Sequence, residues 1–210
     1  MGGTTVKISP ETLIKQAETT GFRPDMLEKV GLLLQLLDEI RSHPFLKNKL
    51  VLKGGTALNL FIFDVPRLSI DIDLNYVGAA DREAMLAERP KIEEALQAVF
   101  SHEGFTVRRV PAEHAGGKWQ PRYPSAGGQG GNLEVDVNFM FRIPLWPVHA
   151  MDSRPVGIWQ AAGIAVVDWQ VDQSLDQAIH TSLGRAPAGN PLAAHLSAPG
   201  NSLSATWSRP

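Results

Sequence analysis

From Pro24 to Ser42 the apolar residues Leu27, Val30, Leu32, Leu33, Leu34, Leu36, Leu37 and Ile40 recur at helical spacing. Glu28, Lys29, Asp38, Glu39 and Arg41 take the other face, so the pattern predicts an amphipathic helix whose stripe is core. Ahead of it, Ser9, Pro10 and Glu11 read as an N-cap and a first-turn proline, opening a short helix to about Glu18. Leu50-Val51-Leu52 predicts a short strand that ends at Lys53-Gly54-Gly55 and gives way to a helix from Thr56 to about Phe61. Ser69 to Val77 alternates acid or polar with apolar residues, the period of a strand with one buried face. A charged helix follows over Asp81 to His102, broken or kinked near Pro90. Two strands, Phe105–Val110 and Trp119–Tyr123, flank a glycine-containing loop.

Beyond the turn-rich Gly127–Gly131, the run Asn132 to Phe141 alternates again, with Leu133, Val135, Val137 and Phe139 on one face and Glu134, Asp136 and Asn138 on the other. Ile164–Val167 predicts one more short strand, and a weak helical pattern runs from about Val171 to Leu183. Trp119, Trp146, Trp159 and Trp169 read as core, because none sits among clustered basic residues.

Composition narrows the class. The chain has 210 residues, 43% of them hydrophobic, which suffices for a buried core. Its net charge of −2 gives no global pull toward nucleic acid or anionic membrane, so a polyanionic partner needs a local site. Without cysteine there is no disulfide scaffold, thiolate zinc site or thiol catalysis. The N-terminal residues contain no apolar signal core and no stretch reaches about 18 apolar residues, which leads us to expect a soluble cytoplasmic protein. The acidic residues cease at Asp176, and Ala, Pro, Ser and Gly supply 17 of the last 27 positions. That segment is expected to be poorly ordered.

Three elements carry chemistry. In Lys53-Gly54-Gly55-Thr56 two residues without Cβ sit between strand and helix, where free backbone N–H groups suit a phosphate; glycine there also serves conformation alone. Asp71-Ile72-Asp73 places two carboxylates on one face of a strand, about 7 Å apart along the chain. Either this is the solvated face of an edge strand, or a cation such as Mg²⁺ neutralises the pair. Asp136 lies on a strand of matching alternation, so pairing of the two strands would bring three carboxylates together, enough for two metals; Glu134 shares its face and is an alternative ligand. His114 and Lys118 are weaker candidates for contacts to nucleotide or RNA. The six histidines show no i, i+4 pair, which argues against a histidine metal site.

In order and distance, Lys53-Gly54-Gly55-Thr56-Ala57-Leu58, then Arg67-Leu68-Ser69-Ile70-Asp71-Ile72-Asp73-Leu74, then Leu133-Glu134-Val135-Asp136-Val137-Asn138-Phe139, the chain resembles the AbiEii/AbiGii-type toxins of the DNA polymerase beta-like nucleotidyltransferase superfamily. The resemblance covers roughly residues 25 to 168. It implies an α/β fold, a mixed sheet with packed helices after two N-terminal helices, and Mg²⁺ on Asp71, Asp73 and Asp136 as the catalytic acids. It implies a nucleoside triphosphate held by Lys53, Gly54, Gly55, Thr56, Arg67 and Ser69, and an acceptor such as tRNA. A separately encoded antitoxin would be the protein partner.

The family also has a helical C-terminal part with a lysine and an arginine-aspartate-leucine motif. Here no lysine follows Lys118 and no aspartate follows Asp176. The expected organisation is therefore a nucleotidyltransferase-like domain over 1–168 and a divergent segment over 169–210, whether by truncation or by a shifted reading frame. The competing expectation is a noncatalytic remnant that binds nucleotide or a protein without turnover.

Overall fold

The computed structural model describes residues 8–62, 68–110 and 116–167, the last three of the middle block by backbone alone. Two helices come first. In α1 (Pro10–Thr20) the Ser9 hydroxyl accepts from the Thr12 amide at 3.2 Å, and Gly21 closes the helix in the left-handed conformation. The apolar stripe predicted for α2 (Pro24–Ser42) is buried along its length. These are the two helices that the capping and spacing patterns forecast.

Eight strands form one mixed sheet: β1 (Leu50–Lys53), β2 (Asp71–Tyr76), β3 (Thr106–Val110), β4 (Gly116–Pro124), β5 (Gly130–Asn132), β6 (Glu134–Asn138), β7 (Val148–Met151) and β8 (Ile164–Val167). Their order is β3-β4-β6-β2-β1-β8-β7, with β5 paired to β4. β2 lies in the middle, parallel to β6 and antiparallel to β1. An edge position for the Asp71/Asp73 strand is thereby excluded. Gly130 and Gly131, expected as turn, form β5 with Asn132 and pair with β4, and β7 was not foreseen, since its residues are mostly exposed and show no alternation.

One face of the sheet is the core side. Ile72, Leu74 and Tyr76 of β2, Val135 and Val137 of β6, Trp119 of β4 and Leu50 and Leu52 of β1 are buried there with α2 and α4 (Arg82–His102). α4 runs unbroken through Pro90, against the expected break. Pro90 sits on the exposed side of the helix, where the carbonyl that proline leaves without an amide partner is open to solvent rather than buried. Of the tryptophans expected in the core, Trp119 is buried, and Trp159 is partly buried, packed against the core beside Gly31. Trp146 is instead exposed, in a run with Met140, Phe141, Ile143, Leu145 and Val148, and Trp169 lies outside the described residues. No helix among the described residues is long and apolar enough to cross a membrane. Residues 168–210, with the expected helix over 171–183, lie outside the described residues.

A polar bridge ties α4 to the sheet. The Glu88 carboxylate accepts from the Tyr76 hydroxyl at 2.5 Å and from the Lys49 ammonium, and these two donors hold its pKa below the usual carboxylate range. A carboxyl whose folded pKa is depressed adds stability above its unfolded pKa and loses it as pH falls through the folded one. Glu88→Ala is expected to cost about 1–3 kcal/mol at neutral pH by leaving the buried Tyr76 hydroxyl and the half-buried Lys49 ammonium unpaired. Chemical denaturation across pH should show that gap closing below the ordinary glutamate range; a constant gap would contradict the bridge.

Candidate functional site

The opposite face of the same strands carries the predicted acids. Because alternate residues point to alternate faces, burying Ile72, Leu74 and Tyr76 forces Asp71, Asp73 and Asn75 outward. The register then sets them beside their neighbours: Asp73 pairs with Asp136 on one side and with Lys53 on the other, and Asp136 pairs in turn with Lys118. Four strands thus carry a row Lys53, Asp73, Asp136, Lys118, two carboxylates flanked by two lysines. One step along, Asp71 pairs with Glu134.

This row is electrostatically frustrated. Burial raises the Asp73 pKa, as do the Asp136 and Asp71 charges, while Lys53 and Lys118 pull it down. The Lys118 ammonium lies 2.9 Å from Glu134 and 3.4 Å from Asp136. Its hydrogen bond lowers the Glu134 pKa and raises that of Lys118 itself. On the paired strands, among the described residues, four carboxylates face two ammonium groups, and Lys29 acts on Glu134 from α2. Lys118, a weaker candidate by sequence, therefore stands inside the acid cluster; His114 lies outside the described residues.

The glycine turn abuts the same row. α3 (Gly54–Ala57) begins directly after β1, and Gly54 has φ +74°. A Cβ on it would lie 2.5 Å from the Asp73 carboxylate oxygen, so both conformation and space demand glycine. At Gly55 a Cβ would meet the Ser69 hydroxyl at 3.2 Å. The buried Thr56 hydroxyl donates to the Asp71 carbonyl at 2.5 Å and lies 3.0 Å from the Ser69 hydroxyl. Of the predicted phosphate contacts, Lys53, Gly54, Gly55, Thr56 and Ser69 thus gather around the acid pair. Arg67 lies outside the described residues.

Sequence reasoning missed Asn59. It sits on the π-helical turn Leu58–Ile62, buried, with its side-chain oxygen accepting from the Ser69 amide at 2.8 Å. That bond fixes Ser69 beside Gly55. A lone asparagine among helix-forming residues gives no signal of this, although the short wide turn that it occupies is a common feature of functional sites.

Two other places attract attention on geometry alone. Glu39, His102 and Glu103 bring one ligand atom each within 4.8 Å of one another, a convergence that histidine spacing did not suggest and that the acids around Asp73 do not match among the described residues. Its Glu103 carboxylate already accepts from Gln35 and contacts His102. A cavity of about 680 Å³ between Ser9, Leu32, Phe105 and Tyr123 holds Glu28, whose oxygens accept from Ser125 and Ala126.

No curated protein matches this chain. Among solved structures, JHP933 of Helicobacter pylori is 12% identical with a TM-score of 0.44, over 87% of this chain and 60% of that one. MenT4, a nucleotidyltransferase toxin of Mycobacterium tuberculosis H37Rv, is 18% identical with a TM-score of 0.46, over 75% of this chain and 55% of that one. The chain thus spans less than two thirds of the length of either. The profile of the family described as nucleotidyl transferase AbiEii toxin, type IV TA system, matches residues 35–169, a span holding the glycine turn, the acid pair and the third acid; the chain belongs to that family.

Proposed function

We propose that this chain is a Mg²⁺-dependent nucleotidyltransferase, the toxin of a bacterial toxin–antitoxin pair, acting in the cytoplasm with a protein antitoxin as partner. The observation that carries the reading is the row in which Asp73 and Asp136 lie side by side on parallel strands against the Gly54-Gly55 turn. The donor set fits a hard divalent cation: oxygen ligands only, with more carboxylates than ammonium groups on the paired strands among the described residues. Asp71, Asp73 and Asp136 would hold Mg²⁺, which supplies charge neutralisation for the triphosphate. The backbone at Gly55 and Thr56, with Lys53, Ser69 and Arg67, would hold the phosphates.

In the transfer, an acceptor hydroxyl oxygen bonds to the α-phosphorus as the bond from that phosphorus to the bridging oxygen of pyrophosphate breaks. The leaving pyrophosphate keeps the electron pair, and the hydroxyl proton passes to Asp136. An RNA such as tRNA is the acceptor that this reading takes. The second reading is a remnant that binds nucleotide without turnover.

Calorimetry with Mg²⁺ and each nucleoside triphosphate tests the site. Asp71→Ala and Asp73→Ala should weaken metal-dependent binding by more than the roughly 10–100-fold typical of losing a group that only supports a ligand. Equal binding by all three proteins would refute the assignment. Incubation with labelled nucleotide and total RNA separates the two readings: incorporation abolished by Asp73→Ala marks the enzyme, and binding without incorporation marks the remnant. Gly54→Ala should lower stability by about 1–2 kcal/mol through its left-handed φ and also weaken nucleotide binding by displacing Asp73. A variant that melts and binds like wild type would show that the turn tolerates a side chain.

A further inference from the structure

The cavity of about 680 Å³ lies on the core side of the sheet. Tyr123 of β4, in its wall, alternates in step with the buried Trp119, whereas Lys118 of the same strand faces the acid row, so cavity and acid row lie on opposite sides. Ile8, Leu32, Phe105, Tyr123 and Pro124 make the walls largely apolar. The rings of Phe105 and Tyr123 meet edge to face, centroids 6.2 Å apart, and form one aromatic wall.

Glu28 departs from this lining. It is 6% exposed, and its two oxygens accept from neutral donors, the Ser125 hydroxyl at 2.6 Å and the Ala126 amide at 2.7 Å. Among the described residues no lysine, arginine or histidine pairs with Glu28 or lines the cavity. Glu103, the other carboxylate of the lining, already accepts from Gln35 and meets His102. A carboxylate withdrawn from water is costly without a counter-charge, and two neutral hydrogen bonds offset only part of that cost.

Tyr123 adds a second polar group. It is 8% exposed, and its hydroxyl makes no hydrogen bond among the described residues. Burial, with the charges of Glu28 and Asp25, pushes its pKa far above the usual tyrosine value, so the hydroxyl keeps its proton and offers lone pairs as well. A buried carboxylate without a cation and a hydroxyl without a partner, next to an aromatic wall, suit a positive group that bears N–H donors. The apolar remainder suits a hydrocarbon body.

We propose that this cavity binds a primary or secondary organic ammonium ion, its N–H groups on Glu28 and Tyr123 and its apolar body against Leu32 and Phe105. The site is independent of the nucleotidyltransferase reading. Calorimetry of the full chain with hexylamine, hexyltrimethylammonium and hexanol tests it. Hexylamine should bind at least about tenfold more tightly than the quaternary ion, which keeps the charge without N–H donors, and than the alcohol, which keeps the body without the charge. Glu28→Gln should abolish the preference over the alcohol while the alcohol itself binds as in wild type, a sign that the cavity is intact. Tyr123→Phe keeps the ring against Phe105 and should weaken hexylamine about three- to tenfold, the worth of one hydrogen bond. Because Glu28 also holds the Ser125 turn, melting of both variants is followed alongside; should Glu28→Gln fail to fold, Tyr123→Phe and the ligand series decide. Mg²⁺-nucleotide binding by both variants should match wild type. The proposal falls if wild type binds hexanol or the quaternary ion as tightly as hexylamine, or binds no hexylamine up to about 10 mM, the range for so small a ligand. It falls equally if a folded Glu28→Gln protein keeps the preference for the amine.

Discussion

Two carboxylates on neighbouring parallel strands repel each other, and the fold of this protein is arranged around keeping them there. Asp73 and Asp136 are register partners in the middle of the sheet, with a lysine on each outer side. The lysines lower the cost without cancelling it, since Asp71 and Glu134 add two further charges one step along. Burial of the other face holds the carboxylates together despite their repulsion: Ile72, Leu74, Val135 and Val137 are wholly or almost wholly buried and anchor both strands against the helices. The energy of the core is in this sense stored as a charge imbalance on the opposite face. On the proposed reading, a cation with phosphate ligands would release it.

The turn after β1 couples to that imbalance directly. Gly54 gives Asp73 its space, Thr56 holds the Asp71 carbonyl, and Asn59 holds the segment entering β2 through Ser69. The residues that would touch phosphate and those that would touch metal are therefore one mechanical unit. Displacing either displaces the other.

Much of this was legible in the sequence because period and chemistry coincided. The alternation of Ser69–Val77 and of Asn132–Phe141 marked both acid strands and the side on which their acids lie, and the glycine pair marked the turn. Pairing between distant strands was less legible: nothing in Trp119–Tyr123 says that Lys118 lies against Asp136, because register is set by the whole sheet. β7 escaped notice since an exposed edge has no buried side to write a pattern. Asn59 escaped because its role is one hydrogen bond to a residue ten positions away. Pro90 misled, as the rule against helix-interior proline weakens where the freed carbonyl meets water.

The alternation of β2 has a further consequence for how the chain reaches this arrangement. A slip of one residue between β2 and its neighbours would turn Asp71 and Asp73 into the apolar interior and Ile72 and Leu74 out of it. The misaligned sheet would have to bury two charges with no counter-ion, a cost far above that of a polar residue misplaced on an ordinary strand. The acids proposed to hold the metal therefore also proofread the assembly of this face: a sheet that forms at all around β2 forms with them in register.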